Sequence, residues 1–369
     1  MAFGTFFLPG PTEVRPEILA AMTRPMMPHR GPDFEELFAR IEVGLLDVFL
    51  TARPVYVSTS SASGLMEGAI RNAPAGPVLS LVNGAFAARF AKIAAACARE
   101  TDILQVPWGS TFDLDDVERR LATRKFAAVT VVHSETSTGV LTDVRTVTEL
   151  AHRYGALCIV DSVTGIAGAE LRFDEWGLDF VLTGSQKALA LPPGLALGVA
   201  STEFLKRARA VPDRGLYFDV VEFEEFAAKN QTPATPALSL LYALEAQLSD
   251  ILREGIDRRW ERHDAMRDAT AAWLKRAVTR VDLEVAILAP EGARSPTITA
   301  ITLPEGLKSA EVVRAVARRG FTIGGGYGKL KDSTIRIGHM GDHTIETLRP
   351  CLAECEDALR DVGGKRWAR

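Results

Sequence analysis

Residues 157–198 read LCIVDSVTGIAGAELRFDEWGLDFVLTGSQKALALPPGLALG. An apolar run, Leu157-Cys158-Ile159-Val160, ends in Asp161. A second run, Phe180-Val181-Leu182-Thr183, leads into Gly184-Ser185-Gln186-Lys187. Both have the length and content of strands buried on two faces, as in a parallel sheet between helix layers. Both deliver ionisable or polar groups at their carboxyl ends, and in an open α/β sheet that edge is where ligands sit. Singly, an Asp after a strand is often a cap or turn residue, and a Lys in a polar loop is often a solvated charge. Together they place an acid and an amine at one sheet edge.

Upstream, the same texture repeats. Strand-like runs at 55–57, 78–82, 103–106 and 127–132 alternate with helical spacing at 32–49, from after Gly64 to about 72, from after Phe86 to 99, and at 113–123 and 146–154. Such alternation argues for βαβ units and a mostly parallel sheet. Residues 8–31 are dense in Pro and Gly and read as an extended arm with one short helix at 16–23. Downstream of Ala200 the texture changes. Residues 204–209 read as a basic helix, and 217–229, rich in acids and aromatics, as a surface excursion. The loop 230–236 opens a helix over 237–254. A charged helix over 256–279 bridges into a smaller α+β module. Its strands are expected near 284–288, 297–303, 321–324 and 334–337, with helices at 309–319 and 344–362. The expected division is an N-terminal arm at 1–20, a large domain at 21–255 and a small C-terminal domain at 256–369.

Composition excludes several classes. The 369 residues are 47% apolar, ample for a large core, and the net charge of −4 offers no basic field for nucleic acid. No apolar run approaches the ~20 residues of a membrane span, and no basic-then-apolar leader opens the chain. The four cysteines lack metal-like clustering, so no metal is expected and reduced thiols in a cytoplasmic protein are.

Three stretches add chemistry. Ser58-Thr59-Ser60-Ser61-Ala62-Ser63-Gly64 precedes a helical run, and hydroxyls at a helix start can cradle an anion on backbone N–H groups and the helix dipole. A serine-rich helix cap is the ordinary alternative. Arg336 stands alone between Ile335 and Ile337 on a short strand, where burial demands an anion. Its fork suits a carboxylate, of the protein or of an amino acid ligand. Gly324-Gly325-Gly326-Tyr327-Gly328 lacks the following helix that a dinucleotide fingerprint requires, and reads as a flexible loop near a substrate entrance. His339 reads as structural. An acid that keeps a pyridinium nitrogen protonated, with an amine that forms a Schiff base, is what a pyridoxal phosphate site needs.

PGPTEV (9–14), SSASGLMEG (60–68), HSETSTGV (133–140), VDSVTGIAG (160–168), TGSQKALALPPG (183–194) and IRIGHMG (335–341) recur in this order in a known family. The chain resembles the class V aminotransferases of the fold-type I pyridoxal phosphate enzymes, the alanine–glyoxylate and serine–pyruvate or serine–glyoxylate enzymes above all. The resemblance implies a large domain with a mostly parallel central sheet and a smaller C-terminal α+β domain. It implies that Lys187 is the Schiff-base lysine, that Asp161 pairs with the pyridinium nitrogen, and that Val163 and Phe86 pack on the two ring faces. Ser61, Ala62, Ser63 and Gln186 would hold the phosphate, and Ser137 and Thr138 would sit by the ring hydroxyl. Thr232 and Thr235 would reach the phosphate of a neighbouring subunit, implying a homodimer with shared sites. Arg336 would bind the substrate carboxylate. Alanine or serine as donor and glyoxylate or pyruvate as acceptor follow, by a ping-pong cycle. A cysteine desulfurase or other lyase of the same fold is the alternative; it needs a nucleophilic cysteine on a loop by the site, and Cys158 lies in a strand-like run and Cys97 in a helix-like one.

Overall fold

A computed structural model describes residues 3–281 and 283–367. Residues 1, 2, 282, 368 and 369 of the expected arm and small domain lie outside the described residues. The apolar runs of the sequence become a seven-stranded sheet in the order Val55–Ser58, Ala196–Ala200, Phe180–Gly184, Leu157–Asp161, Ala128–Val132, Val78–Val82, Thr101–Gln105. Ala196–Ala200 runs antiparallel to both of its neighbours, and every other pairing is parallel. Six of these strands are buried at each position, as a sheet covered on both faces requires. Only the edge strand Thr101–Gln105 is partly open to solvent.

Two apolar layers cover the sheet. One is built on Pro32–Phe49, Val144–Arg153 and Leu238–Glu254, with Phe34, Leu37, Phe38, Ile41, Leu45 and Val48 along one face of the first. The other lies beneath Ala62–Asn72, Ala85–Ala96, Thr202–Ala208 and Val220–Ala227. Because the sheet directions are fixed, the carboxyl ends of Val55–Ser58, Val78–Val82, Ala128–Val132, Leu157–Asp161 and Phe180–Gly184 all open on one edge. Residues 58–63, 83–86, 133–138, 161–163 and 184–187 therefore meet there.

A second sheet orders Phe6–Phe7, Thr322–Gly325, Thr334–Ile337, Thr299–Thr302, Ala286–Ile287. The arm is thus more than a cover: Phe6 and Phe7 pair in parallel with Thr322 and Ile323. Gly255, at a φ of 84°, breaks Leu238–Glu254 from Ile256–Val281, a turn that glycine accommodates without Cβ strain. The segment read as a surface excursion, 217–229, holds a helix, Val220–Ala227, capped by Asp219, whose carboxylate accepts from Val221 N at 2.9 Å. Its apolar Val220, Phe223 and Ala227 sit at helical spacing and are buried, while Glu224 faces Arg53 and accepts from Tyr56 Oη at 2.6 Å. The acids that suggested a surface loop are partly the polar face of that helix and partly partners for buried groups. No helix among the described residues is long and apolar enough to cross a membrane.

Candidate active site

Asp161 is the last residue of its strand and is buried. Its Oδ1 accepts from Val163 N at 2.9 Å. Burial pushes the carboxyl up to about 7, with Glu135 adding to the rise and Val163 N–H, Lys187 and Arg89 opposing it. A buried carboxylate of this kind gains from any cation brought against it.

Lys187 follows the neighbouring strand by three residues and is also buried. Its Nζ donates to the carbonyl of Pro9, so the arm reaches the site. Burial, and then the charge of Arg336, lower the ammonium to about 7, against the pull of Asp161 and Glu135. An amine at this point of its titration is a usable nucleophile and base near neutral pH. Arg336, 8% exposed, is anchored by donating from Nε to Gly325 O at 2.7 Å and from Nη1 to Thr136 O at 3.1 Å. Burial pulls it down to about 10. Its partners are carbonyls, so its charge is left for an anion.

A cavity of about 370 Å³ lies beside Asp161 and Lys187; Arg336 is not among its lining residues, but bonds Thr136, which is. Asp161, Lys187, Val163, Gln186, Phe86 and the run Ser61-Ala62-Ser63 all line it. Ser61 caps Ala62–Asn72 without using its hydroxyl, and among the described residues neither Ser61 Oγ nor Ser63 Oγ has a hydrogen-bond partner. The free amides and hydroxyls at this helix start are the groups an anion would take. An acid, an amine, an aromatic ring, a branched side chain and an anion cradle lining one cavity fit pyridoxal phosphate.

Phe86 opens the helix Ala85–Ala96 and is held there by Glu135, which sequence reasoning passed over. The buried Glu135 carboxylate accepts from Phe86 N at 3.1 Å, from Ala87 N at 2.9 Å and from Ser137 N at 2.9 Å. Ser137 Oγ donates to Glu135 at 2.7 Å and accepts from Ala85 N at 2.9 Å. Ser137 is therefore tied to this cap, and neither it nor Thr138 is among the cavity's lining residues. The Thr138 hydroxyl is buried without a partner. Thr232 bonds Ala234 O at 2.7 Å, and the exposed Thr235 faces His29 at 3.5 Å. Neither is among the residues that line this chain's own cavity.

The glycine-rich loop sits over the site. Tyr327 stacks on Phe86 with ring centroids 5.3 Å apart, and the Arg336 guanidinium lies 5.7 Å from the same tyrosine ring. A Cβ on Gly326 would meet Leu330 O at 1.9 Å, so this backbone approach needs glycine. A single 3-10 turn, Gly328–Leu330, follows, not a helix. His339 is buried against Thr299 at 2.8 Å. Arg89, one turn beyond Phe86, also lines the cavity and had no signal beyond its place in a helix. No cysteine among the described residues does so; Cys158 lies mid-strand, its thiol pushed up to about 12 by burial.

The family model described as aminotransferase class-V matches residues 74–337. An uncharacterized aminotransferase of Methanocaldococcus jannaschii is 35% identical over 362 residues, 96% of this chain and 92% of that protein. The L-aspartate–glyoxylate aminotransferase of Paracoccus denitrificans is 31% identical, with 97% and 91% of the two chains covered. The crystal structure of an alanine–glyoxylate aminotransferase from Nostoc sp. superposes with a TM-score of 0.88 at 28% identity, covering 97% of this chain and 94% of that one.

Proposed function

This chain belongs to the class-V aminotransferases of the fold-type I pyridoxal phosphate enzymes, and on that premise we propose that it moves an amino group from a small amino acid to a small 2-oxo acid by a ping-pong cycle. Alanine or serine is the donor and glyoxylate or pyruvate the acceptor. The observation that carries the reading is the convergence of Asp161 and Lys187 on one cavity, with Phe86 and Val163 on its walls.

Bound pyridoxal phosphate supplies the electron sink that makes a Cα–H bond acidic. Asp161 holds the proton at the ring nitrogen. Lys187 would hold the cofactor through Nζ and, as a neutral amine, would take the proton from substrate Cα. Arg336 orients the α-carboxylate through its fork. Glu135 and Ser137 fix Phe86, so the aromatic wall does not depend on the cofactor for its position. Ser61, Ala62, Ser63 and Gln186 would hold the phosphate, and Ser137 and Thr138 would sit by the ring hydroxyl. In the homodimer we infer, Thr232 and Thr235 serve the neighbouring subunit's site. The division into arm 1–20, large domain 21–255 and small domain 256–369 accompanies this reading.

A small side chain is favoured because Arg336 is the cation left for substrate. The desulfurase alternative lacks support from the site, where no described cysteine is placed to attack. A donor–acceptor panel on the purified enzyme tests the substrate reading. Alanine and serine should lead; glutamate or aspartate ahead of both by tenfold would refute it. Lys187→Ala should abolish both turnover and the visible absorbance of the bound cofactor, and transamination retained in that variant would remove Lys187 from its role.

A further inference from the structure

The phosphate of the cofactor carries close to two negative charges near neutral pH. On the pyridoxal phosphate reading above, on which this inference rests, the groups that meet it are all neutral. Ser61 and Ser63 offer hydroxyls, Gln186 an amide, and Thr232 and Thr235 of a neighbouring copy further hydroxyls. The start of Ala62–Asn72 adds roughly half a charge. Arg336 is tied to the carbonyls of Gly325 and Thr136 beside Tyr327 and is committed to the substrate. The amine of Lys187 is used in holding the cofactor. This leaves a dianion short of a counter-charge.

Arg89 is the remaining cation in the cavity wall. It stands three residues after Phe86 on Ala85–Ala96, so the two side chains leave the same helix face one turn apart. It shares the wall with Ser61, Ser63 and Met66. Among the described residues its guanidinium has no ion pair and no hydrogen bond. Every other arginine discussed above has a carboxylate, a carbonyl or both. Its charge also reaches Asp161, where it favours the ionised carboxyl.

We propose that Arg89 is a cofactor-anchoring residue: its guanidinium supplies the full positive charge that meets the phosphate at the Ser61–Ser63 cradle. A fork that is exposed and free before binding can turn onto a phosphate without breaking an existing pair. The cradle then fixes the position of the phosphate, and Arg89 balances its charge.

The test compares binding of pyridoxal phosphate with binding of pyridoxal, which lacks the phosphate, by the cofactor-stripped wild-type, Arg89→Gln and Arg89→Lys proteins. Arg89 is exposed, so both variants should keep the apoprotein's melting temperature. Expected for Arg89→Gln is a tenfold or greater rise in Kd for pyridoxal phosphate, with the Kd for pyridoxal changed by less than twofold. Arg89→Lys should recover most of the loss. Equal weakening of both ligands would place Arg89 on the ring side, through Asp161, and overturn the proposal. Unchanged pyridoxal phosphate binding with a raised KM for a dicarboxylic donor would overturn it in favour of a substrate role. A wild-type protein that binds neither ligand would instead bring down the cofactor reading itself.

Discussion

Burial drives Asp161 and Lys187 toward the same pH from opposite sides, the carboxyl up to about 7 and the ammonium down to about 7. The proton on Asp161 is held more tightly in the folded chain than at the ordinary value of 3.8. Its contribution to stability is therefore fully present below that value and is lost as pH rises through about 7. Asp161→Asn removes the burdened charge. The cofactor-stripped variant should melt higher than wild type at pH 8 and near wild type at pH 5, while transamination falls at least a hundredfold. Equal melting shifts at both pH values would show that the carboxyl is not the strained group. These two residues were legible because Asp161 ends an apolar run and Lys187 follows another by three residues, and the sheet edge follows from direction alone. Glu135 was not. In HSETSTG it looks like one polar loop residue among several, and its partners are backbone amides some 50 residues earlier, at Phe86 and Ala87. Nothing in local spacing marks such a pairing.

At the scale of elements, Ala85–Ala96 begins with an extended Gly84 and no side-chain cap of its own. Glu135 supplies that cap from across the sheet edge, and a Cβ on Gly84 would strike its side chain at 2.3 Å. Removing it leaves buried amides unpaired, which costs about 1–3 kcal/mol each when nothing replaces the partner. Glu135→Ala should lower unfolding stability by about 2–4 kcal/mol in urea and loosen Phe86, weakening cofactor binding as well. Wild-type stability in the variant would mean that the cap is dispensable. Helices read from periodicity came close to their observed bounds, Pro32–Phe49 among them, because a buried stripe at helical spacing has one good solution. Val220–Ala227 was missed since its acids outnumber its buried faces in a linear reading. The reversed direction of Ala196–Ala200 was also invisible: a fully buried strand has the same composition either way up.

Across the whole molecule, the alternation of strands and helices was enough to imply the large mostly parallel sheet, whereas the partner of Phe6–Phe7 lay too far away in sequence to be read. Thr235 is exposed and is not among the residues that line its own cavity, so its expected role is assigned to a second copy. Native mass in solution should be twice the 40.0 kDa chain; a mass equal to one chain would end the shared-site reading. Mixing Lys187→Ala with a Thr232→Ala, Thr235→Ala double variant should then restore one well-bound cofactor site per mixed dimer. The strand Phe6–Phe7 is made first but its partner, Thr322–Ile323, only about 300 residues later. At roughly 5–20 residues per second on the ribosome, that is a wait on the order of tens of seconds. Through that interval the two phenylalanines remain without their native strand partner, and the carbonyl of Pro9 waits for Lys187, made 178 residues later. The emerging chain must be kept from sticking elsewhere until residues 322–323 arrive, so this enzyme's yield in a cell should depend on how well nascent-chain chaperones shield residues 6–9.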